Sequence, residues 1–538
     1  MKAKVRLLVL VVLGAVAAGT PASGQEEREQ PTVEAARQVS TGVQPDRLYV
    51  SPVMAVHPDD PLTMAVGVGD VRNGGCYVHV SRDGGLSWTT SGSLMPPNLP
   101  FCVQRNFGSV MGLAFAADGT LHAALSGSSV ETGHPNGPVA ALHARSTDLG
   151  GTWQTTVVAE GRLYRHEDGQ TAIDGVEQHG LVSLAVHPTD PSLVYLGWRF
   201  RVLNPATAGP VTAVPEQPYL AVSRDGGRSW EEPANLKTAL PEGVYGAATP
   251  SVVVHTDGTA YAFLRERPAP PATGQPRPKA RYFLATSTDA GRTWTSRQIY
   301  DGQIFIYQPV PAVDRDGTLH LVWWQAEGAT LDVPTQIRYM RSTDRGATWS
   351  EQVELTDDDP ARRFNQYWPG MSVAPNGRID VAWHDFRDDP YYVPEGTGPM
   401  GLGSTTQHFS NIYATYSTDG GRTWAPNVRV TDRSIYRKVG VTFNNQDIVG
   451  PVGMASTDTA AHITWSDSRG SGPFDAEDAY FTRLRFDPLV VGSGDESSPL
   501  LWALLGAGIT LAVGGMALVL ALRAASSRSR PARAAAGR

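Results

Sequence analysis

The 538-residue chain reads as an all-β protein, one large repetitive domain followed by a single membrane-spanning helix. Three observations carry that reading. An eight-residue phrase occurs six times, as SRDGGLSW (81–88), STDLGGTW (146–153), SRDGGRSW (223–230), STDAGRTW (287–294), STDRGATW (342–349) and STDGGRTW (417–424). Upstream of each copy a pair of short apolar strands recurs around a tight polar turn: HPDD, AADG, HPTD, HTDG, DRDG or APNG. Finally, residues 500–522 are uncharged over 23 positions, and at ~1.5 Å per residue such a helix spans the ~30 Å hydrocarbon layer.

The phrase is a turn. Alternating segments such as IYATYSTD and IRYMRSTD lead into it and others such as PNVRVTD and EQVELTD lead out, and period-two alternation on both sides makes a β-hairpin. Inside it the Ser and Asp side chains can bond nearby backbone N–H groups, glycine supplies a positive φ, and the closing Trp lays an apolar ring back over the hairpin. Asp83, Asp148, Asp225, Asp289, Asp344 and Asp419 are therefore read as turn formers rather than as acids of a reaction.

The two ends place the chain across a membrane. Lys2, Lys4 and Arg6 precede the apolar run LLVLVVLGAVAA and the small residues PASG, the tripartite pattern of a secretory signal, with cleavage expected near Gly24. Behind 500–522, Arg523, Arg528, Arg530, Arg533 and Arg538 stand without an acid, so the positive-inside bias puts the C-terminus in the cytoplasm. The expected layout is signal 1–24, ectodomain 25–487, linker 488–499, transmembrane helix 500–522 and basic tail 523–538, in a cell membrane with the N-terminal domain outside. Gly506, Thr510 and Gly514 put small residues four apart on that helix, a spacing compatible with a weak homodimer.

The formal charge is −8; without the three signal cations and the five tail arginines, residues 25–522 carry −16. That excludes nucleic acid as a natural partner and is read as a solvated surface. Only Cys76 and Cys102 are present, too few for a disulfide scaffold or a Cys-based zinc site, although an exported chain can pair them. No metal and no cofactor is expected.

Six copies of S-x-D-x-G-x-x-W resemble the Asp-box, or BNR-repeat, β-propellers typified by sialidases, over roughly residues 33–487. The resemblance implies a ring of four-stranded blades with each Asp box between third and fourth strands. Successive box aspartates lie 65, 77, 64, 55 and 75 residues apart, so the units carry insertions. After the sixth box the two-strand pattern returns as PVGMASTDTAAHITWSDSR, followed by AYFTRLRF (479–486) and then Asp487-Pro488 where a box would stand. ARQVST (36–41) resembles the fourth strands, so the N-terminus is expected to complete a seventh blade and close the ring. Six blades, the sialidase number, is the alternative.

In such a blade the turns between strands one and two and the boxes share one face. Loops between strands two and three, and crossovers between blades, share the other, which carries the insertions 157–180, 199–219, 265–281 and 385–411. Function is expected on this loop-rich face. Its second-to-third loops offer Asp70, Arg72, Arg199, Arg265, Asp385, Arg387, Asp467 and Arg469, and its crossovers Arg105, Glu177, His179, Tyr307, Gln308, Asn365, Tyr367, Trp368, Asn445 and Asp447. The pairs in WHDFR and WSDSR have a second reading, as salt bridges bracing a loop.

Sialidases clamp a carboxylate with three arginines and use a glutamate-activated tyrosine nucleophile with an aspartate acid/base. By that resemblance Asp70 takes the acid/base place, Tyr367 and Glu177 stand for nucleophile and activator, and Arg199, Arg265 and Arg387 are clamp candidates. The chain departs from the pattern at YVSPVMAV (49–56), where relatives carry Arg-Ile-Pro, and at FNNQD (443–447), which lacks the tyrosine. Three functions follow: a binder of glycans or a related polar ligand, an exo-sialidase or other glycoside hydrolase, and a non-catalytic protein-interaction scaffold.

Overall fold

The computed structural model describes residues 31–40, 49–70, 73–102, 111–130, 137–164, 175–204, 214–269, 279, 281–302, 309–326, 335–359, 364–391, 408–437, 442–443, 446–447, 450–469 and 477–486. The expected signal, linker, membrane helix and tail lie outside them. Among the described residues no helix is long and apolar enough to cross a membrane.

Among the described residues seven antiparallel blade sheets form, each ordered inner strand, second, third, outer, beside a two-stranded hairpin of Thr442–Phe443 and Gln446–Asp447. Blade 1 is built from Tyr49–Val56, Met64–Asp70, Gly75–Ser81 and Thr89–Thr90. The inner strands of blades 2 to 7 are Gly112–Phe115, Gly175–Val186, Ser251–Val254, Val310–Val313, Gln366–Val373 and Gly453–Ser456. Each inner strand touches its two neighbours in order, and the last returns to Tyr49–Val56, so the ring is closed. The second and third strands form the core, where Trp198, Trp323, Trp383 and Trp465 of blades 3, 5, 6 and 7 are fully buried.

Closure is made by the N-terminus. Arg37 and Gln38 pair with Phe481 and Tyr480, and Thr32 and Val33 continue the ladder opposite Arg485 and Leu484. Glu34 fixes this register through Arg483 at 2.8 Å, and the Ser40 hydroxyl donates to Asp478 at 2.8 Å. The ring thus covers both edges of its last third strand, Asp478–Arg485.

Each Asp box is also a joint between blades. In the first, Ser81 Oγ donates to Asp83 Oδ1 at 2.8 Å and accepts from Gly85 N at 2.8 Å, while Ser87 N and Oγ donate to the same carboxylate at 2.9 and 2.6 Å. Asp148, Asp225, Asp289, Asp344 and Asp419 make the corresponding bonds. The turn brings the fifth residue of each box, a glycine at positive φ, onto the third strand of the preceding blade: Gly85 onto Phe481, Gly150 onto Val80, Gly227 onto His143, Gly291 onto Val222, Gly346 onto Leu284 and Gly421 onto Tyr339. The box Trp rings follow, with Trp88 edge-on to Phe481 at 5.6 Å, Trp230 to His143 at 5.0 Å and Trp424 to Tyr339 at 4.8 Å.

Six boxes serve seven joints. At the joint between blades 6 and 7, Phe486 takes the place of the box: its ring stands edge-on to Tyr416 of blade 6 at 4.8 Å, and the Arg378 guanidinium lies 3.8 Å from its centroid. Arg378 also donates to the Thr457 and Asp458 carbonyls of blade 7, both at 2.8 Å.

The loop reading of 157–180 and 199–219 is corrected by longer strands. Blade 3 extends its inner and second strands to Gly175–Val186 and Val194–Leu203, because Val176, Val202 and Leu203 continue the buried alternation that the sequence reading ended too early.

Candidate functional site

Inner strands start, and second strands end, on the loop-rich face, so backbone pairing alone gathers candidate residues there. Asp70 lies opposite Tyr49, Arg199 opposite Gly180, and Asp385 opposite Gln366. In blades 1, 3 and 6 the inner strand carries a bulge just below this face, each with a non-glycine residue at positive φ: Ser51 (48°), Leu181 (54°) and Trp368 (58°). Such residues cost about 1–2 kcal/mol each and persist where the surroundings fix them. At Trp368 the bulge frees the carbonyl to accept Val452 N of blade 7 at 3.2 Å.

Blades 5 to 7 build the densest cluster. Tyr367, only 4% exposed, packs with Trp324, Phe386 and His384 at 6.4, 5.3 and 6.4 Å, and the Arg437 guanidinium covers Tyr367 and Phe386 at 5.6 and 5.2 Å. Trp368 stands edge-on to Trp324 at 6.0 Å. Burial, with Arg437 adding to it, pushes the His384 imidazole well below its usual range, so it is neutral. Asn365 is buried; its Oδ1 accepts Thr335 N at 3.0 Å, and its Nδ2 has no hydrogen-bond partner among the described residues. Close by, burial and then the charge of Asp385 raise the Asp358 carboxyl to about 6.

Blades 3 and 4 build a second cluster around Glu216, which Arg199 and Arg267 approach to 3.4 and 2.7 Å. Burial raises its pKa, but the Arg199 and Arg267 charges outweigh that and hold it at about 2. Arg201 bonds Gln178 Oε1 at 2.8 Å, and Glu177 faces Arg162 at 3.3 Å. His179 accepts the Trp198 indole N–H at 2.9 Å and is lowered to about 4 by burial, then by Arg162. Arg265 stands beside Tyr282 of the third strand of blade 4.

The WHDFR and WSDSR elements form matching braces. Trp383 and Trp465 donate indole N–H groups to Asp385 and Asp467, both at 2.9 Å. The aspartates hold Arg387 and Arg469 at 2.8 Å, and each arginine reaches an acid just after the fourth strand of the preceding blade, Asp357 or Asp432, at 2.6 Å. Each guanidinium lies over a tyrosine of its own third strand, Tyr413 at 4.3 Å or Tyr480 at 4.6 Å. The clamp candidates Arg199 and Arg387 thus sit in separate ion pairs on blades 3 and 6, and the structure does not bring them together.

Asp70 accepts Asn73 Nδ2 at 2.6 Å at the end of its strand. Nearby, Cys76 and Cys102 form a disulfide with Cα atoms 5.6 Å apart. Arg72, Arg105, Tyr307, Gln308 and Asn445 lie outside the described residues, as does the side chain of Asp447. Among the described residues no group of three His, Cys, Asp or Glu could hold a metal. Sequence reasoning missed Arg437, Asp358 and Glu216. The one available signal was the repeated Thr-Asp after fourth strands, which marks the brace acids Asp357 and Asp432.

The closed ring carries six turn-forming boxes on one face and arginines, amides and aromatics on the other, the arrangement of a seven-bladed β-propeller. The model of the BNR/Asp-box repeat matches residues 415–426, the sixth box. No curated protein sequence matches. Among solved structures the chain is similar to the Hadza microbial sialidase Hz136, at 15% identity and TM-score 0.43 over 79% of this chain and 73% of that one. A Trypanosoma rangeli sialidase in complex with sialic acid gives 13% and 0.42 over 69% and 53%, so this chain spans about half its length. A protein of unknown function from Dyadobacter fermentans DSM 18053 gives 13% and 0.43 over 85% and 100%.

Proposed function

We propose that this propeller binds a glycan or related polar ligand on its loop-rich face, held outside the cell by a helix at 500–522 after removal of a signal peptide. The observation that carries the reading is the Asn365–Trp368 segment: a bulged inner strand where a buried amide without a partner, two aromatic rings and the Arg437 guanidinium converge on the loop-rich face. Amides and aromatic faces are the groups that orient polar, ring-shaped ligands. The burial of Tyr367 supports binding over nucleophilic attack.

The hydrolase reading is kept for one reason. Asp358, raised to about 6 by burial and then by the charge of Asp385, stands beside that second carboxyl, and a pair of neighbouring carboxyls is the equipment of acid/base chemistry. The test is a glycan array run beside a panel of fluorogenic glycosides on residues 25–487. Binding without turnover, abolished by Tyr367→Ala in a folded protein, is expected. Turnover selects the hydrolase, and silence in both assays leaves the interaction scaffold.

A further inference from the structure

Most large aromatic side chains of the ring are buried, but one row is not. In blade 6, Tyr391 is 57% and Tyr436 41% exposed, and the partly buried Phe409 lies between them. Tyr391 stacks beside Phe409 at 6.1 Å and an interplanar angle of 27°, Phe409 meets Tyr436 at 5.2 Å, and His408 adds an imidazole 5.0 Å from Tyr391.

The row is held from beneath. Asp389, itself buried, accepts Tyr391 N at 3.0 Å through one oxygen and His408 N and Phe409 N at 2.6 and 3.1 Å through the other. Phe409 and Tyr436 are direct cross-strand partners, which sets their rings on the same side of the sheet. Two neighbouring acids are paired, Asp388 with Arg429 at 3.5 Å and Asp432 with Arg469 at 2.6 Å. Arg437, the residue after Tyr436, is buried and covers Tyr367, so the row and the cluster described above are adjacent in the chain.

We infer that Tyr391, Phe409 and Tyr436 form an extended saccharide platform that carries the third and later sugar units of a chain whose first two units lie at the Tyr367–Arg437 cluster. The inference rests on the glycan reading and adds the class of ligand, an oligosaccharide rather than a single sugar. Pre-set rings with exposed faces and hydroxyl tips match the alternation of C–H patches and hydroxyls on a pyranose.

The experiment is calorimetric titration of the detergent-solubilised full chain with gluco-, xylo-, manno-, galacto- and chito-oligosaccharides, and sialyl-oligosaccharides, of one to six units. The expected result is that six units bind roughly ten-fold tighter than two, the size that two added ring contacts supply. Tyr391→Ala with Tyr436→Ala should erase that gain while leaving the two-unit affinity and the unfolding temperature unchanged. Tyr391→Phe, which keeps the ring, should keep the gain, and Tyr391→Ala alone should lose part of it if the double variant folds poorly. A full gain in the alanine variants overturns the platform and leaves the glycan reading standing. Variants that only lose stability show that the rings are covered by this chain's own residues, which also overturns it. If no probe binds the unaltered protein, both readings fall.

Discussion

Replacing Gly421 by Ala tests whether the boxes join blades or merely turn hairpins. Gly421 has φ +79°, and an added Cβ would lie 2.6 Å from Cζ of Tyr339 on the preceding blade and closer still to its hydroxyl. That ring cannot step aside: the hydroxyl bonds His320 Nδ1 at 2.7 Å, and Trp424 packs against it at 4.8 Å. Left-handed strain costs about 1–2 kcal/mol and forcing a methyl group into a packed joint about 1–3 more, so Gly421→Ala should lose roughly 2–5 kcal/mol. Gly377 is the control, with φ +86° and nothing within 4 Å of the added Cβ, so Gly377→Ala should lose only the backbone share. Urea unfolding of residues 25–487 measures both, and Tyr339→Phe, which removes the colliding hydroxyl, should return part of the Gly421→Ala loss. Equal losses for the two alanine variants, with no relief from Tyr339→Phe, would mean that the glycine serves its turn alone.

Two further outcomes follow from the same framework. Burial lowers His79 and His122 to about 4 and His462 to about 3. A histidine held neutral in the fold contributes stability that is complete above the unfolded pKa of 6.5 and is lost as pH falls from there toward the folded value, up to about 3 kcal/mol for a shift to about 4. Asp358 works the other way, its unfavourable ionisation being relieved below about pH 6, as do Asp380 and Asp385, but burial also lowers His143, His179 and His384, so six histidines against three carboxyls leave a net loss. The urea midpoint should therefore drop between pH 6.5 and 4, and a flat or rising midpoint contradicts this. Substituting both Cys76 and Cys102 by Ser opens a loop with sequence separation 26 and should cost about 3 kcal/mol in chain entropy, with a change below ~1 kcal/mol counting against it.

The fold was legible because its signals are local. Alternation around each box marks a hairpin within some twenty residues, and ARQVST could be matched to a fourth strand by its own pattern. The site was legible only as a face. Which arginine meets which acid depends on partners in the neighbouring blade: Arg387 with Asp357 and Arg267 with Glu216. Neither of these pairs has a sequence spacing that announces it. The length of the blade 3 strands was missed for a related reason, since Arg199 and Arg201 lie within the strand, Arg199 itself buried, yet read in isolation as a polar loop.

Phe486, the substitute for a seventh box, marks where the chain leaves the ring, on the box side. With the anchor proposed at 500–522, the flat side is tethered toward the bilayer and the loops are displayed outward, like a dish on a short stalk. A pull on a captured ligand would travel through the disc and along Asp478–Arg485 to the stalk. That strand is held on one edge by Ala460–Asp467 and on the other by the N-terminal pairs at Thr32–Val33 and Arg37–Gln38. Load therefore acts along the strand, and its bonds on both edges must slide together rather than peel one at a time. The N-terminal strand that closes the ring is in this sense also the clasp that keeps Asp478–Arg485 in place under load.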